Sequence, residues 1–143
     1  MLPFFAVLLL AAPASIADED PTGTLMVNVT DLRSEEGKVR VALHTSEDTF
    51  PTKRKEALAV LIVTINGNQA TARFPDIHLG DYAVAVYHDE DNNGRLNRSV
   101  IGIPKEGTAA SRDPKPRMGP PRWKDCVFTL GPGETKMSMK IRY

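Results

Sequence analysis

Eleven residues, Tyr87 to Asn97, read YHDEDNNGRLN. Oxygen-bearing side chains recur there at alternate positions, which is the spacing a hard cation asks of a short loop. On the twelve-residue calcium-loop template, Asp89, Asp91 and Asn93 take positions one, three and five, and Gly94 the sixth, where the chain bends sharply. The backbone carbonyl of Arg95 falls at seven and Asn97 at nine, directly or through water, while Leu96 is the apolar residue at eight. Position twelve falls on Val100, not on the bidentate glutamate that closes such a sphere. Glu106 is the downstream carboxylate that would have to fold back to supply it. The expected ligands are therefore Asp89, Asp91, Asn93, Arg95 through its carbonyl, Asn97 and Glu106. The expected cofactor is Ca2+ held at low affinity, roughly 10⁻⁴–10⁻³ M as in extracellular modules. The competing reading is a polar turn, since Asn-Gly pairs adopt positive φ and Asp and Asn side chains bond to nearby amides without an ion. A turn needs only one or two such side chains, so the spacing favours the ion, in a structural role.

Other chemistry is weaker. His88 and Asp89 are neighbours on a strand-forming run and so point to opposite faces. No G-x-S-x-G, H-E-x-x-H or C-x-x-C occurs, and no catalytic residue is assigned. The enzymatic alternative is an envelope hydrolase in which His88, Glu106 and Trp123 converge in one pocket. A copper-type site from His44, His78, His88, Met118, Met137 and Met139 is set aside, because Met137 and Met139 alternate with Ile141 as core residues do and solvated histidines are ordinary at the positions of His44 and His78. Cys126, the single cysteine, is expected to be buried. Met118, Arg122 and Trp123 are the candidates for a binding surface.

These residues must be positioned by strands. Period-two alternation places Leu25, Val27 and Val29 on one face, then Val39, Val41 and Leu43, with Lys38, Arg40 and His44 opposite. The run LAVLIVTI (58–65) is apolar throughout and reads as a strand buried on both faces. Asn66-Gly67-Asn68 then turns a hairpin into a strand with Ala70, Ala72 and Phe74 inward. Tyr82, Val84 and Val86 belong to a central strand, and Met137, Met139, Ile141 and Tyr143 to the inward row of the last. The expectation is an all-β, antiparallel immunoglobulin-like or prealbumin-like sandwich of about seven strands. Its one long loop, residues 98–124, holds Pro104, Pro114, Pro116, Pro120 and Pro121. It is expected to form an ordered flap, packed down by Ile101, Ile103, Met118 and Trp123.

Residues 1–17 carry no charged side chain; their apolar run, Leu2 to Ala12, is too short for the 20 or so residues that span a bilayer, and Ser15 and Ala17 stand at the spacing of a cleaved export signal. A single domain over 18–143 and a periplasmic or extracellular location follow, with no transmembrane segment in the mature chain. The 18 basic and 18 acidic residues balance, which argues against a nucleic-acid binder. The cluster Lys53-Arg54-Lys55 reads as a solvated loop, although an anionic polysaccharide or lipid headgroup stays open as a partner. An envelope protein or glycan is the expected partner.

The blocks LGDYAVAVYHDEDNNGRLN, IGIPKEG and GPPRWKDCVFTL, in that order, closely resemble a family of small exported bacterial proteins known as domain of unknown function 2141. The resemblance covers Gly23 to Tyr143 and implies an extracytoplasmic β-sandwich without an assigned activity. Family members usually carry aspartate where Asn97 stands, asparagine at Ser99 and alanine at Cys126. The FPDIHLGDYAV block is also similar, at the level of fold, to prealbumin-like and carboxypeptidase regulatory-like sandwiches, which are generally accessory modules.

Overall fold

The computed structural model describes residues 11–15, 17 and 19–143. The export signal expected over 1–17 thus lies largely outside the described residues. No helix among the described residues is long and apolar enough to cross a membrane.

Eight strands form two sheets: β1 (Thr22–Thr30), β2 (Lys38–His44), β3 (Ala59–Val63), β4 (Ala70–His78), β5 (Gly80–Asp89), β6 (Thr108–Ala110), β7 (Phe128–Leu130) and β8 (Gly133–Lys140). The smaller sheet has the order β4-β1-β8 and the larger β3-β2-β5-β6, with β7 on β5 beside Gly80–Tyr82 and β6 on β5 beside Ala85–Tyr87. This is the expected all-β sandwich. One pair departs from the antiparallel pattern, since β8 runs parallel to β1 from Gly23↔Gly133 to Thr30↔Lys140. The inward rows read from alternation meet in one core: Leu25, Val27, Val29, Val39, Val41, Leu43, Phe74, Val84, Val86, Met139 and Ile141 are all buried.

Several expectations are corrected, among them the inward placing of Tyr143, which lies beyond the end of β8 and is exposed. The Asn66–Asn68 turn, with Gly67 at φ +65°, does not close a hairpin within one sheet; β3 and β4 belong to different sheets, so it turns a corner between them. β3 is an edge strand, and its outer row of Leu58, Val60 and Ile62 is 53%, 41% and 55% exposed. A continuous apolar run reads the same whether a strand is central or marginal, and only the pairing distinguishes them. His44 is fully buried, not solvated. It lies on the outer face of the larger sheet beneath a second apolar cluster of Phe50, Ala83, Ala85, Ala110 and Cys126, with Trp123 packed against it. Its Nδ1 meets Thr49 Oγ1 at 3.1 Å while Nε2 has no partner. Burial, and then the charge of Arg54, lower its pKa. Cys126 ends the short helix α1 (Trp123–Cys126), and burial pushes its thiol up to about 11, leaving it an inert hydrophobe at neutral pH.

The 98–124 segment is not a flap packed on apolar residues. It contains β6, and Trp123 alone of the four expected anchors packs inward; Ile101, Ile103 and Met118 are 81%, 58% and 95% exposed.

Candidate functional site

β5 is the central strand of its sheet and ends on Asp89, a fully buried carboxylate. The antiparallel register of β2 sets Lys38 opposite Asp89 and carries Arg40 two residues along the same face. Arg40 Nε donates to Asp89 Oδ2 at 2.6 Å. The chain then curls round the same group: Gly94 N donates to Oδ2 at 2.9 Å and Asn93 N to Oδ1 at 3.1 Å. Burial raises the Asp89 pKa, but the Arg40 hydrogen bond, the two amides and the Arg40 charge outweigh it, and the carboxyl stays ionised below its ordinary range. Two contacts brace the loop from outside. Tyr87 Oη donates to the Gly94 carbonyl at 3.0 Å. Gly37, at φ +68°, presses the β1–β2 turn so close that a Cβ there would lie 1.9 Å from the Asp89 carbonyl oxygen.

Glu106 returns beneath the loop from the far side. Its Oε1 accepts from Glu90 N at 3.0 Å and its Oε2 from Asn97 N at 3.1 Å. Asp91, exposed at the mouth, accepts at Oδ2 from the side-chain amides of Asn93 (3.0 Å) and Asn97 (2.8 Å). Asn97 Nδ2 also reaches Glu106 Oε1 at 3.4 Å. Oxygens of Asp89, Asp91 and Glu106 all lie within 4.8 Å of one another. Two of these three carboxylates are buried, and Arg40 is bonded to Asp89 alone, so the site carries uncompensated negative charge. The two asparagine amides stand among the carboxylates as hydrogen-bond donors. Half a turn of each amide exchanges donor for acceptor with no change of shape, and the place where nitrogens now point would then be lined by oxygens. Such an all-oxygen donor set suits Ca2+ or Mg2+ rather than a soft metal. Val100, at template position twelve, is wholly exposed and contributes nothing. Arg95 is exposed, and its carbonyl is tied to the cluster only through the turn in which Arg95 N bonds to Asn93 Oδ1.

The chain matches the family model described as an uncharacterised protein conserved in bacteria (DUF2141) over residues 27–138. It belongs to the DUF2141 family. Neither a curated protein nor a solved structure matches it significantly. The matched span runs from within β1 to within β8, so it takes in the carboxylate cluster and the elements that hold it.

In this DUF2141 chain the groups named for a hydrolase face three different surroundings. His88 lies on the core side of β5, with Nδ1 2.7 Å from Tyr143 Oη and Nε2 2.6 Å from the Glu36 carbonyl. Glu106 serves the loop amides, and Trp123 packs edge-on against Phe50. The histidines do not meet either, since His78 closes β4 in the other sheet. Among the described residues, Asp89, Asp91 and Glu106 are the group of three potential metal ligands that comes together.

Two open depressions flank the site's end of the molecule and the proline-rich segment. One, about 540 Å³, is lined by Thr52, Arg54, Gly94, Arg95, Leu96, Arg98 and Pro120. Sequence reading left Arg54 in a solvated loop, but its guanidinium lies 4.1 Å over the Tyr87 ring. The other, about 830 Å³, is lined by the 112–118 stretch with Arg122, Lys124 and Asp125. Of the three surface candidates, Met118 and Arg122 line this second depression, whereas Trp123 does not. Arg40, Gly37 and Tyr87 were missed by sequence reasoning. The outward position of Arg40 in KVRVALH was legible, but which carboxylate it faces depends on strand register.

Proposed function

We propose that this chain is a non-catalytic binding or structural module of the cell envelope whose 89–106 loop takes a calcium ion at low affinity. The supporting observation is the convergence of Asp89, Asp91 and Glu106 oxygens within 4.8 Å. Glu106 supplies the carboxylate that the template lacks at position twelve. The export-signal pattern of residues 1–17 supports the envelope. Bound calcium would neutralise the cluster and draw the exposed Asp91 onto the buried pair, fixing the loop from which the Arg98–Pro104 turn emerges. Asp89, Asp91 and Glu106 would hold the ion, with Asn93 and Asn97 turning their amide oxygens inward.

The test is a thermal melt in chelator and then in millimolar calcium or magnesium. A ligand that binds only the native state stabilises it by mass action, by about 1.4 kcal/mol at ten times its Kd. Calcium is expected to raise the melting temperature and magnesium to do so less, because Mg2+ gives up its water reluctantly. Asp91→Asn removes a charge from an exposed position of a like-charged cluster and should not lower the melt in chelator, while abolishing the calcium shift. A parent protein whose melt ignores calcium, or an Asp91→Asn protein that still responds, would reduce the loop to a polar turn.

A further inference from the structure

We propose that the Arg98–Pro104 turn docks this protein on an anionic phospholipid surface, its aliphatic tip entering the headgroup layer while Arg54, Arg95 and Arg98 contact lipid phosphates. The tip is the most exposed apolar stretch among the described residues: Val100 is 107%, Ile101 81% and Ile103 58% exposed, within the single turn of one short hairpin. It is not a slack loop. Ser99 N donates to the Ile103 carbonyl at 2.7 Å and Gly102 N to the Ser99 carbonyl at 2.9 Å. Ser99 Oγ accepts from Ile103 N at 3.2 Å, and Arg98 pairs with Pro104 across the base. Aliphatic side chains held out by a closed ring of hydrogen bonds need no further ordering to be buried by something else.

Cations sit beside this tip. Arg98 reaches along the hairpin to the Gly102 carbonyl at 3.0 Å and also lines the 540 Å³ depression with Arg54 and Arg95. None of the three is among the ion pairs formed by the described residues. Burial pushes the Arg54 guanidinium below its ordinary value; Tyr87 opposes this, and the charges of Arg98 and Arg40 add to the lowering. No acidic side chain lines that depression, the carboxylates of Asp89, Asp91 and Glu106 being gathered in their own cluster, so its three cations invite an anion.

The combination selects a lipid surface over a protein. Three side chains on a hairpin fall far short of the roughly 800 Å² per partner that a stable protein interface buries. Interfacial membrane binding needs only a small inserted apolar area with cations against anionic headgroups. The hairpin and its collar are complete without an ion in the 89–106 loop, so this inference stands independently of the calcium reading.

The test uses the chain from Glu19 onward, which contains all eight strands and both apolar clusters and lacks the apolar N-terminus that would bind lipid by itself. It is sedimented in chelator at low salt with vesicles of phosphatidylcholine, alone or mixed with phosphatidylglycerol. Binding is expected to the mixed vesicles and to weaken as salt rises. Arg98→Gln should reduce it roughly five-fold and Ile101→Asp on the order of ten-fold, neither moving the melting temperature. Failure to bind the mixed vesicles would overturn the proposal, as would binding both vesicles equally or an Ile101→Asp protein that binds like its parent. Retention of inorganic phosphate without vesicle binding would make the depression a small-anion site instead. Binding that appears only in calcium would show that the ion, and not the arginine collar, is the lipid contact, and would also overturn the proposal as stated.

Discussion

The loop at 89–97 and the hairpin that follows it at 98–104 have exchanged the fates their compositions suggest. The first is written in Asp, Glu and Asn, yet Asp89 is fully buried and Glu106 nearly so, each enclosed by backbone amides. The second carries Val100, Ile101 and Ile103, yet projects all three into solvent. The difference lies in where the backbone hydrogen bonds go. Leaving β5, the chain makes a bend whose amides have no strand to bond to, and a buried N–H without an acceptor costs about 1–3 kcal/mol. Two carboxylates supply those acceptors, so their polarity is what carries them inside. The hairpin satisfies its amides internally through Ser99 and Ile103. Its side chains are therefore released from any structural duty and are free to meet a partner.

That contrast is broken most severely at Asp89. Asp89→Ala leaves Arg40, whose side chain is only 18% exposed, without its acid and strands the amides of Asn93 and Gly94. Removing one partner of a buried pair typically costs about 3–5 kcal/mol, and a loss at the lower end of that range is expected because Arg40 keeps some access to water. Equilibrium denaturation in urea should show it as a lowered midpoint with an unchanged slope. A loss below about 1 kcal/mol would mean that the loop does not depend on Asp89. Replacing Asp89 would accordingly be a poor test of calcium binding, since it confounds ligand loss with fold loss, and Asp91→Asn is the variant that separates them.

A smaller effect sharpens the same point through pH. Because the folded-state pKa of Asp89 is depressed, its contribution is complete above the unfolded value of about 3.9 and is lost as pH falls through the lower folded value. The stability gap between the parent protein and Asp89→Asn should therefore hold steady at neutral pH and narrow below about pH 3.9. His44 acts in a different window. Its folded pKa is also lowered, so the stability gained by keeping it neutral begins to fall away as pH drops below about 6.5, and this loss is common to both proteins. A gap that began to close near pH 6 would point away from Asp89.

Much of the architecture was legible in the sequence because it rests on period-two alternation. The inward rows on β1, β2, β4 and β5 are all core residues, as are Met139 and Ile141 of the last row, whereas Met137 is only partly buried and Tyr143 is exposed. What failed depends on neighbours that no local pattern names. LAVLIVTI looks central but forms the edge strand, since its partners lie on one side only. His44 looks solvated because its cover is not written in the alternation: Phe50 folds back from the segment after β2, and Trp123, from far along the chain, packs on Phe50. Within the site, the alternation of Asp89, Asp91 and Asn93 was readable, and so was the need for a later carboxylate. The return of Glu106 and the pairing of Arg40 were not, because both depend on how β2, β5 and β6 are registered.

The smallest expected effect tests the other half of the comparison. If the hairpin's aliphatic residues have no structural duty, Val100→Ser and Ile101→Ser should each change stability by no more than about 0.5 kcal/mol, the range of ordinary surface substitutions. Val100 in particular loses nothing on truncation, being fully exposed. Ser99→Ala should cost more than either, although it removes only one oxygen. It deletes the acceptor that Ile103 N uses at 3.2 Å and loosens the ring that holds the tip out. Urea denaturation of the three variants side by side decides the matter. A Ser99 variant more stable than Ile101→Ser would mean that the aliphatic tip carries structural weight, and the opposite order would leave its three apolar side chains with recognition as their purpose.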